Sequence, residues 1–224
     1  METPMFFLPK GTPVFENMKT IHLNLPNFVE KLNSMDFTGY AGFTFPSAAA
    51  LLVFENGKLS IIVYEEDDGS RFSNLDALIS LAHKLLITDI GSVSAYKLSD
   101  NLSFYTSQLL RSKELFTGKE IASCNMEELL ERIRNERFNG CLRSYTGDRS
   151  SLIFYQEGNP LGFFHDGSYE METTVTTSQG VASIPNARID LYASYEEKDI
   201  KGINLLEIIN IRKVWSYAKT QRPN

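Results

Sequence analysis

The order of apolar and polar positions predicts the same succession of elements twice, at a separation of 101 positions. In each half, apolar residues at helical spacing follow an asparagine, Asn24 or Asn125, which has the side chain that a helix N-cap requires. Glu128, three residues after Asn125, completes a capping box. The pattern therefore predicts one helix that ends near Met35 and another that ends near Glu136.

Each predicted helix is followed by runs of short, β-branched or aromatic sequence, which indicate strands. In the first half these runs are 40–45, 51–54 and 59–64, and the last two flank Asn56-Gly57. Asn-Gly is a strong signal for a hairpin turn, and Gly158 stands at the same offset in the second half. We therefore expect a three-stranded antiparallel meander after each helix.

The two stretches align without a gap, so that Leu8 to Tyr64 lies over Leu109 to His165. The identical pairs are Leu8/Leu109, Phe15/Phe116, Asn24/Asn125, Glu30/Glu131, Phe37/Phe138, Gly39/Gly140, Leu51/Leu152 and Gly57/Gly158. Average composition would give roughly four chance identities over such a span. The identities fall at caps, turns and apolar positions, so an internal duplication is the preferred interpretation.

Beyond the hairpins the two halves differ. The first continues through an acidic loop into an amphipathic helix over Ser73–Leu86 and a strand near 92–98. The second has threonine-rich extended sequence over 170–177 and 187–193 before a last helix from about Asn204 to Lys219, which contains Trp215.

The predicted fold class is α+β, with two related copies that are each a helix followed by a short antiparallel meander, with flanking helices. The first copy would span 1–105, and the second copy with the C-terminal helix would span 106–224.

Composition and charge exclude some functions. The chain of 224 residues has a formal net charge of −6 and a pI near 5.2, and its lysines are scattered, so we expect no nucleic-acid binding. The first residues lack the basic start of a signal peptide, and no apolar run is long enough to span a membrane. We therefore expect a cytoplasmic protein in which Cys124 and Cys141 are reduced.

No catalytic, cofactor-binding or metal-binding residue is assigned. The three histidines, His22, His83 and His165, have no second ligand at metal-binding spacing. The acidic run Glu65–Asp68 lacks the alternating carboxylates of a calcium loop and is typical of a solvated turn. No cofactor is expected.

Aromatic residues are numerous, with 15 Phe and 10 Tyr. Those concentrated in the second half are Tyr145, Tyr155, Phe163, Phe164, Tyr169, Tyr192 and Tyr195. Two interpretations remain open, because aromatic side chains both fill β-rich cores and anchor protein interfaces.

The order of elements in the first half resembles the PATAN-type domain, which was first described at the N-terminus of the cyanobacterial PatA protein. The resemblance rests on a helix, Phe37-Thr38-Gly39, two strands around the turn at Gly57, and a helix with a small residue, Ala77. It covers about Leu8 to Leu98 well and Leu109 to Phe164 in part. The resemblance implies a non-catalytic interaction module of bacterial signalling proteins.

The sequence thus predicts a non-catalytic protein-interaction module in bacterial signalling or in assembly of a cytoplasmic complex. Its partner would be a protein, either a different one or another copy of itself. The alternative is a small-molecule sensor or an enzyme with a pocket between the two copies.

Overall fold

A computed structural model describes residues 8, 10–147, 149–165, 171–172, 186–194 and 203–221. The chain divides into two compact units. The first unit contains Gly11–Ser103 and the C-terminal segment 203–221. The second unit contains Leu8, Lys10 and the described residues of Phe104–Lys201. The division falls within a helix, α3 (Asp100–Arg111).

The first unit is built on a six-stranded antiparallel sheet with the strand order β1-β6-β2-β3-β4-β5. Its strands are β1 (Thr12–Lys19), β2 (Gly39–Phe45), β3 (Ala48–Glu55), β4 (Lys58–Glu66), β5 (Arg71–Ser73) and β6 (Ser92–Lys97). Its other helices are α1 (Leu25–Ser34), α2 (Asn74–Ile87), α5 (Leu205–Ile208) and α6 (Ile211–Thr220). One face of the sheet forms a continuous apolar core with α1, α2, α5 and α6.

The second unit is built on a five-stranded antiparallel sheet with the order β10-β9-β8-β11-β7. Its strands are β7 (Lys113–Glu120), β8 (Gly140–Tyr145), β9 (Ser150–Gln156), β10 (Asn159–His165) and β11 (Arg188–Ala193). A short 3₁₀ helix, Ile121–Ser123, precedes α4 (Met126–Asn135), whose apolar side packs on this sheet. The core cluster of buried residues here is smaller, with Ile133, Leu142, Tyr155, Ile189 and Leu191.

The elements of the two units repeat with the offset seen in the sequence. The helix α1 begins at Leu25 and α4 at Met126, while β1 begins at Thr12 and β7 at Lys113. Both asparagine N-caps are confirmed, because Asn24 Oδ1 accepts from the Asn27 N–H at 3.1 Å and Asn125 Oδ1 from the Glu128 N–H at 3.2 Å. The two predicted hairpin turns are also confirmed, since β3 pairs with β4 and β9 with β10.

The predicted fold class is wrong. Antiparallel sheet dominates the described residues, of which 41% are strand and 34% helix, and neither unit is a helix followed by a short meander. Strands outside each meander complete each sheet: β1, β6 and β5 in the first unit, and β7 and β11 in the second. The strands β1 and β7 escaped prediction because they lie at sheet edges and carry mostly exposed side chains with no regular alternation of apolar and polar residues.

The C-terminal helix also differs from the prediction. It is two helices, α5 and α6, because Asn204 caps the first and Asn210 caps the second within the same apolar pattern. Both pack in the first unit rather than with residues 106–201, and Arg212 forms a bidentate ion pair with Glu30 of α1 at 2.8 and 2.7 Å. In the second unit, the extended run 170–177 lies largely outside the described residues, while 187–193 is confirmed as β11.

Among the described residues, no helix is both long and apolar enough to cross a membrane.

Removing the Trp215 side chain should destabilise the first unit. Trp215 is 7% exposed within the core that α6 shares with α2, and Lys219 Nζ lies 5.7 Å from the centroid of its ring. Its indole N–H has no hydrogen-bond partner among the described residues, so the side chain contributes chiefly by packing. We expect Trp215→Ala to lower the free energy of unfolding by about 3–5 kcal/mol, measured by urea denaturation followed by circular dichroism. The control Tyr217→Ala, at a position 55% exposed on the same helix, should change it by less than about 0.5 kcal/mol. Equal effects of the two substitutions would contradict the packing described for α6.

Candidate functional site

The three histidines lie on different elements of the fold. His22 is exposed in the turn before α1, His83 is half-buried on α2, and His165 is the last residue of β10. Within the described ranges, no group of three or more His, Cys, Asp or Glu side chains could hold a metal ion. The acidic run lies at the β4–β5 turn, where the Ser70 N–H donates to Asp68 at 2.8 Å and lowers the pKa of that carboxyl.

The aromatic set of the second half lies mostly within the sheet. Tyr155 and Phe164 are buried, and Tyr145, Phe163 and Tyr192 are half-buried on β8, β10 and β11. Tyr169 and Tyr195 lie outside the described residues. The described members therefore fit the interpretation that they fill the interior, not that they form an exposed partner surface.

An apolar groove lies on the surface of the second unit between α4 and β7, with a volume of about 330 Å³. We call it the α4 groove. Its lining residues are Leu115, Phe116, Leu129, Arg132, Ile133, Glu136, Phe138 and Leu191. Leu115 is 49% exposed, whereas Ile133 and Leu191 are buried, so the groove has an open mouth and an apolar floor.

The α4 groove arises from side-chain differences between two otherwise equivalent helices. In the first unit, the ring of Phe28 packs edge-on against Phe15 at 6.1 Å and against Phe43 at 5.7 Å. At the offset of 101 positions, Phe15 corresponds to Phe116, Phe28 to Leu129 and Phe43 to Ser144. Loss of two of the three rings leaves space over β7 and β11 that the first unit fills with its own side chains.

Charged side chains of both signs border the groove. Arg132 Nε lies 3.3 Å from Glu136 Oε1 on the last turn of α4, and both side chains are exposed. Lys119 Nζ lies 5.6 Å from the centroid of the Phe116 ring. An exposed ion pair of this kind contributes little to stability, so both charges remain available to an incoming group.

The opposite face of the same sheet carries a buried polar network around Asp190. Its Oδ1 accepts from the Gly118 N–H at 2.8 Å, and its Oδ2 accepts from Arg143 at 3.3 Å and from the Tyr192 hydroxyl at 3.2 Å. The Arg143 guanidinium also lies 4.3 Å from the centroid of the Tyr145 ring. Burial, and then the Asp190 charge, raise the pKa of Tyr192 above its ordinary value.

This network joins three neighbouring strands, because Asp190 and Tyr192 lie on β11, Arg143 on β8 and Gly118 on β7. Gly118 has a φ of +66° at the point where the β7–β11 register shifts. By accepting the Gly118 N–H, the Asp190 carboxylate stabilises this irregularity of the sheet. Both carboxylate oxygens are already engaged, which favours a structural role over a catalytic one. Asp190 was not predicted as a site residue, although a single carboxylate between Ile189 and Leu191 is the signal that could have revealed it.

Comparison with protein-family models, with curated proteins and with solved structures gives no match.

Removing the Asp190 carboxylate should strongly destabilise the second unit. Asp190→Ala leaves the largely buried Arg143 without its carboxylate, and we expect the free energy of unfolding to fall by about 3–5 kcal/mol in urea denaturation. The double substitution Asp190→Leu with Arg143→Leu removes both charges and should recover much of that loss. The single variants Asp190→Leu and Arg143→Leu complete the cycle. A loss of unfolding free energy in the double variant equal to the sum of the two single losses would refute the coupling between these residues.

Tyrosine ionisation should destabilise the fold at alkaline pH. Burial, and then interaction with Cys141, raise the pKa of Tyr155 to about 12. The folded-state pKa is raised above the ordinary value of about 10, so the neutral Tyr155 hydroxyl contributes to folding stability. This contribution is present in full below pH 10 and is lost as the pH rises toward 12. We therefore expect Tyr155→Phe to lose less stability than the unaltered protein between pH 9 and about 11, measured as the urea midpoint at each pH. Parallel pH profiles for the two proteins would contradict this assignment.

Proposed function

We propose that the protein is a non-catalytic protein-interaction module of the bacterial cytoplasm, which acts in signalling or in assembly of a complex. The observation that carries the proposal is the α4 groove, an apolar depression at a position that the first unit fills with the ring of Phe28. The resemblance of the first half to PATAN-type domains, which implies an interaction role, is consistent with it.

The occupant that fits the α4 groove is an aromatic side chain presented by a partner protein. In the first unit, a phenylalanine ring at the position of Leu129 packs against the counterpart of Phe116. The volume of about 330 Å³ is at the small end of the range for ligand pockets and fits a side-chain anchor. Aromatic anchors in apolar pockets, surrounded by a polar rim, are typical of protein interfaces. The rim here would be supplied by Arg132 and Glu136.

Filling the groove from within tests the proposal. The Leu129→Phe substitution places in α4 the residue that α1 carries, so the fold should be retained while the groove is occupied. We would select peptides that bind the unaltered protein from a randomised library displayed on phage. We expect the selected peptides to share an aromatic residue and to bind Leu129→Phe at least about tenfold more weakly, because truncating or excluding an interface anchor costs more than about 1.4 kcal/mol.

The matched control is Leu130→Phe, which adds the same ring at the neighbouring position of α4, outside the groove, where Leu130 is 43% exposed. This variant should bind the selected peptides like the unaltered protein. Peptides without an aromatic residue, or peptides that bind Leu129→Phe and Leu130→Phe equally, would overturn the proposal.

Light scattering of the same three proteins distinguishes the two kinds of partner. A concentration-dependent dimer that Leu129→Phe disrupts and Leu130→Phe retains would identify the occupant as a second copy of this chain. A dimer that persists in Leu129→Phe would contradict self-association through the groove.

A further inference from the structure

The first unit shows how a helical segment packs beside its repeat helix α1. Residues 205–220, which contain α5 and α6, share one apolar core with α1, and we call them the docked segment. The helix α1 and residues 206–212 border the same depression, which has a volume of about 390 Å³. Arg212 donates to both carboxylate oxygens of Glu30, at 2.8 and 2.7 Å. The docked segment is thus held by apolar packing together with a bidentate ion pair.

Three apolar side chains of the first unit are fully buried in the core that includes the docked segment. Val29 lies on α1, Leu52 on β3 and Ile62 on β4, and each is at most 1% exposed. All three belong to the core cluster to which α5 and α6 contribute. The helix α5 lies against β4, the strand that carries Ile62. A segment from outside the repeated part of the chain therefore completes the core of the first unit.

The second unit presents the same three positions to solvent. Their counterparts, at the offset of 101 positions, are Leu130 of α4, Ile153 of β9 and Phe163 of β10. Leu130 is 43% exposed, and the other two are half-buried. Ile153 and Phe163 are paired across β9 and β10, so their side chains lie on one face of the sheet. Ile153 packs against the core cluster that α4 covers, which places both side chains on the side of the sheet where α4 lies.

A carboxylate accompanies these apolar side chains, as in the first unit. Glu131 is the counterpart of Glu30; it is exposed and has no ion pair within the described part of the chain. Two neighbouring positions that are uncharged on α1 carry charges of opposite sign on α4, Glu127 and Arg134, so the net charge is the same on both helices at these positions. An arginine suits such a carboxylate, because its planar guanidinium donates two parallel hydrogen bonds. We call Leu130, Glu131, Ile153 and Phe163 the α4–β10 face.

We infer that the α4–β10 face binds an amphipathic helix of a partner protein, which places aliphatic side chains on the apolar positions and pairs an arginine with Glu131. The occupant is a different protein and not a second copy of this chain, because the apolar residues of the docked segment are already buried in the first unit. The inference goes beyond the proposed function, since it assigns a second surface with a different anchor. None of its four residues lines the α4 groove.

The probe for this face is a synthetic peptide of residues 204–221, which has the apolar pattern and the arginine of the docked segment. We would label it with a fluorophore, titrate it with the intact chain and measure the fluorescence anisotropy. We expect saturable binding that Leu130→Asp weakens at least about tenfold, because this variant brings a charge into the apolar contact. Leu130 is exposed in the free protein, so the variant should keep the circular dichroism spectrum of the unaltered protein.

An exchange of charges tests the pair with Glu131. The protein variant Glu131→Arg should bind the peptide at least about tenfold more weakly, because two cations would then face each other. A peptide with Arg212→Glu should recover binding to Glu131→Arg and bind the unaltered protein weakly. The matched control Glu120→Arg makes the same reversal at an exposed position of β7, at the opposite edge of the sheet from β10, and should bind the original peptide like the unaltered protein.

Absence of saturable binding at millimolar peptide would overturn the inference, as would equal effects of Glu131→Arg and Glu120→Arg. Binding that responds to Glu30→Arg and not to Glu131→Arg would also overturn it, because the peptide would then be exchanging with the docked segment on α1. A concentration-dependent dimer in light scattering that Leu130→Asp abolishes would identify a second copy as the occupant and refute the assignment to a partner protein. These outcomes leave the test of the α4 groove unchanged, since that test depends on Leu129.

Discussion

The junction between a helix end and a hairpin turn determines the geometry of both units. In the first unit, the Phe37 N–H donates to Leu32 O at the end of α1, and Phe37 O accepts from the Gly57 N–H in the β3–β4 turn. The second unit repeats this arrangement at Phe138 and Gly158. A Cβ atom on Gly57 would lie 2.5 Å from the Asn33 carbonyl oxygen, and one on Gly158 would lie 2.8 Å from that of Arg134, so the turn approaches the helix too closely for any other residue. The junction therefore sets where each helix lies on its sheet.

Because both units keep this junction, the side chains on α1 and α4 can differ while each helix keeps the same position on its sheet. Val29 of α1 is 1% exposed and packs in the core to which α5 and α6 contribute, whereas its counterpart Leu130 on α4 is exposed. Glu30 holds Arg212 of α6, whereas its counterpart Glu131 has no ion pair within the described part of the chain. On the other side of α4, Leu129 in place of a phenylalanine opens the α4 groove. The first unit uses its helix layer for its own stability, whereas in the second unit the described residues leave the α4 groove uncovered.

Local chemistry was sufficient to predict the features that depend on neighbouring residues. Asn24 and Asn125 were identified as caps, and Gly57 and Gly158 as turn residues, because the physical requirement lies within a few positions of each. The predicted fold class failed because strand pairing is non-local. The exposed edge strand β1 pairs with β6 about 80 residues later in the chain, which no local pattern indicates. The Asp190 network and the α4 groove depend likewise on β11 entering the sheet between β7 and β8. No site residue could be predicted from local patterns because each site is assembled from distant segments.

The strand β11 links the stability of the second unit to its proposed surface. Successive side chains of a strand point to opposite faces, so Leu191 contributes to the floor of the α4 groove while Asp190 and Tyr192 enter the buried network. The network ties β11 to both of its neighbours, and β7 supplies Leu115 and Phe116 at the mouth of the groove. A rigid apolar floor requires that β7 and β11 keep their register across the shift at Gly118. The buried carboxylate satisfies that requirement by accepting the Gly118 N–H. The hydrogen bonds of the carboxylate between Ile189 and Leu191 thus keep in register the strands that form the groove on the other face of the same sheet.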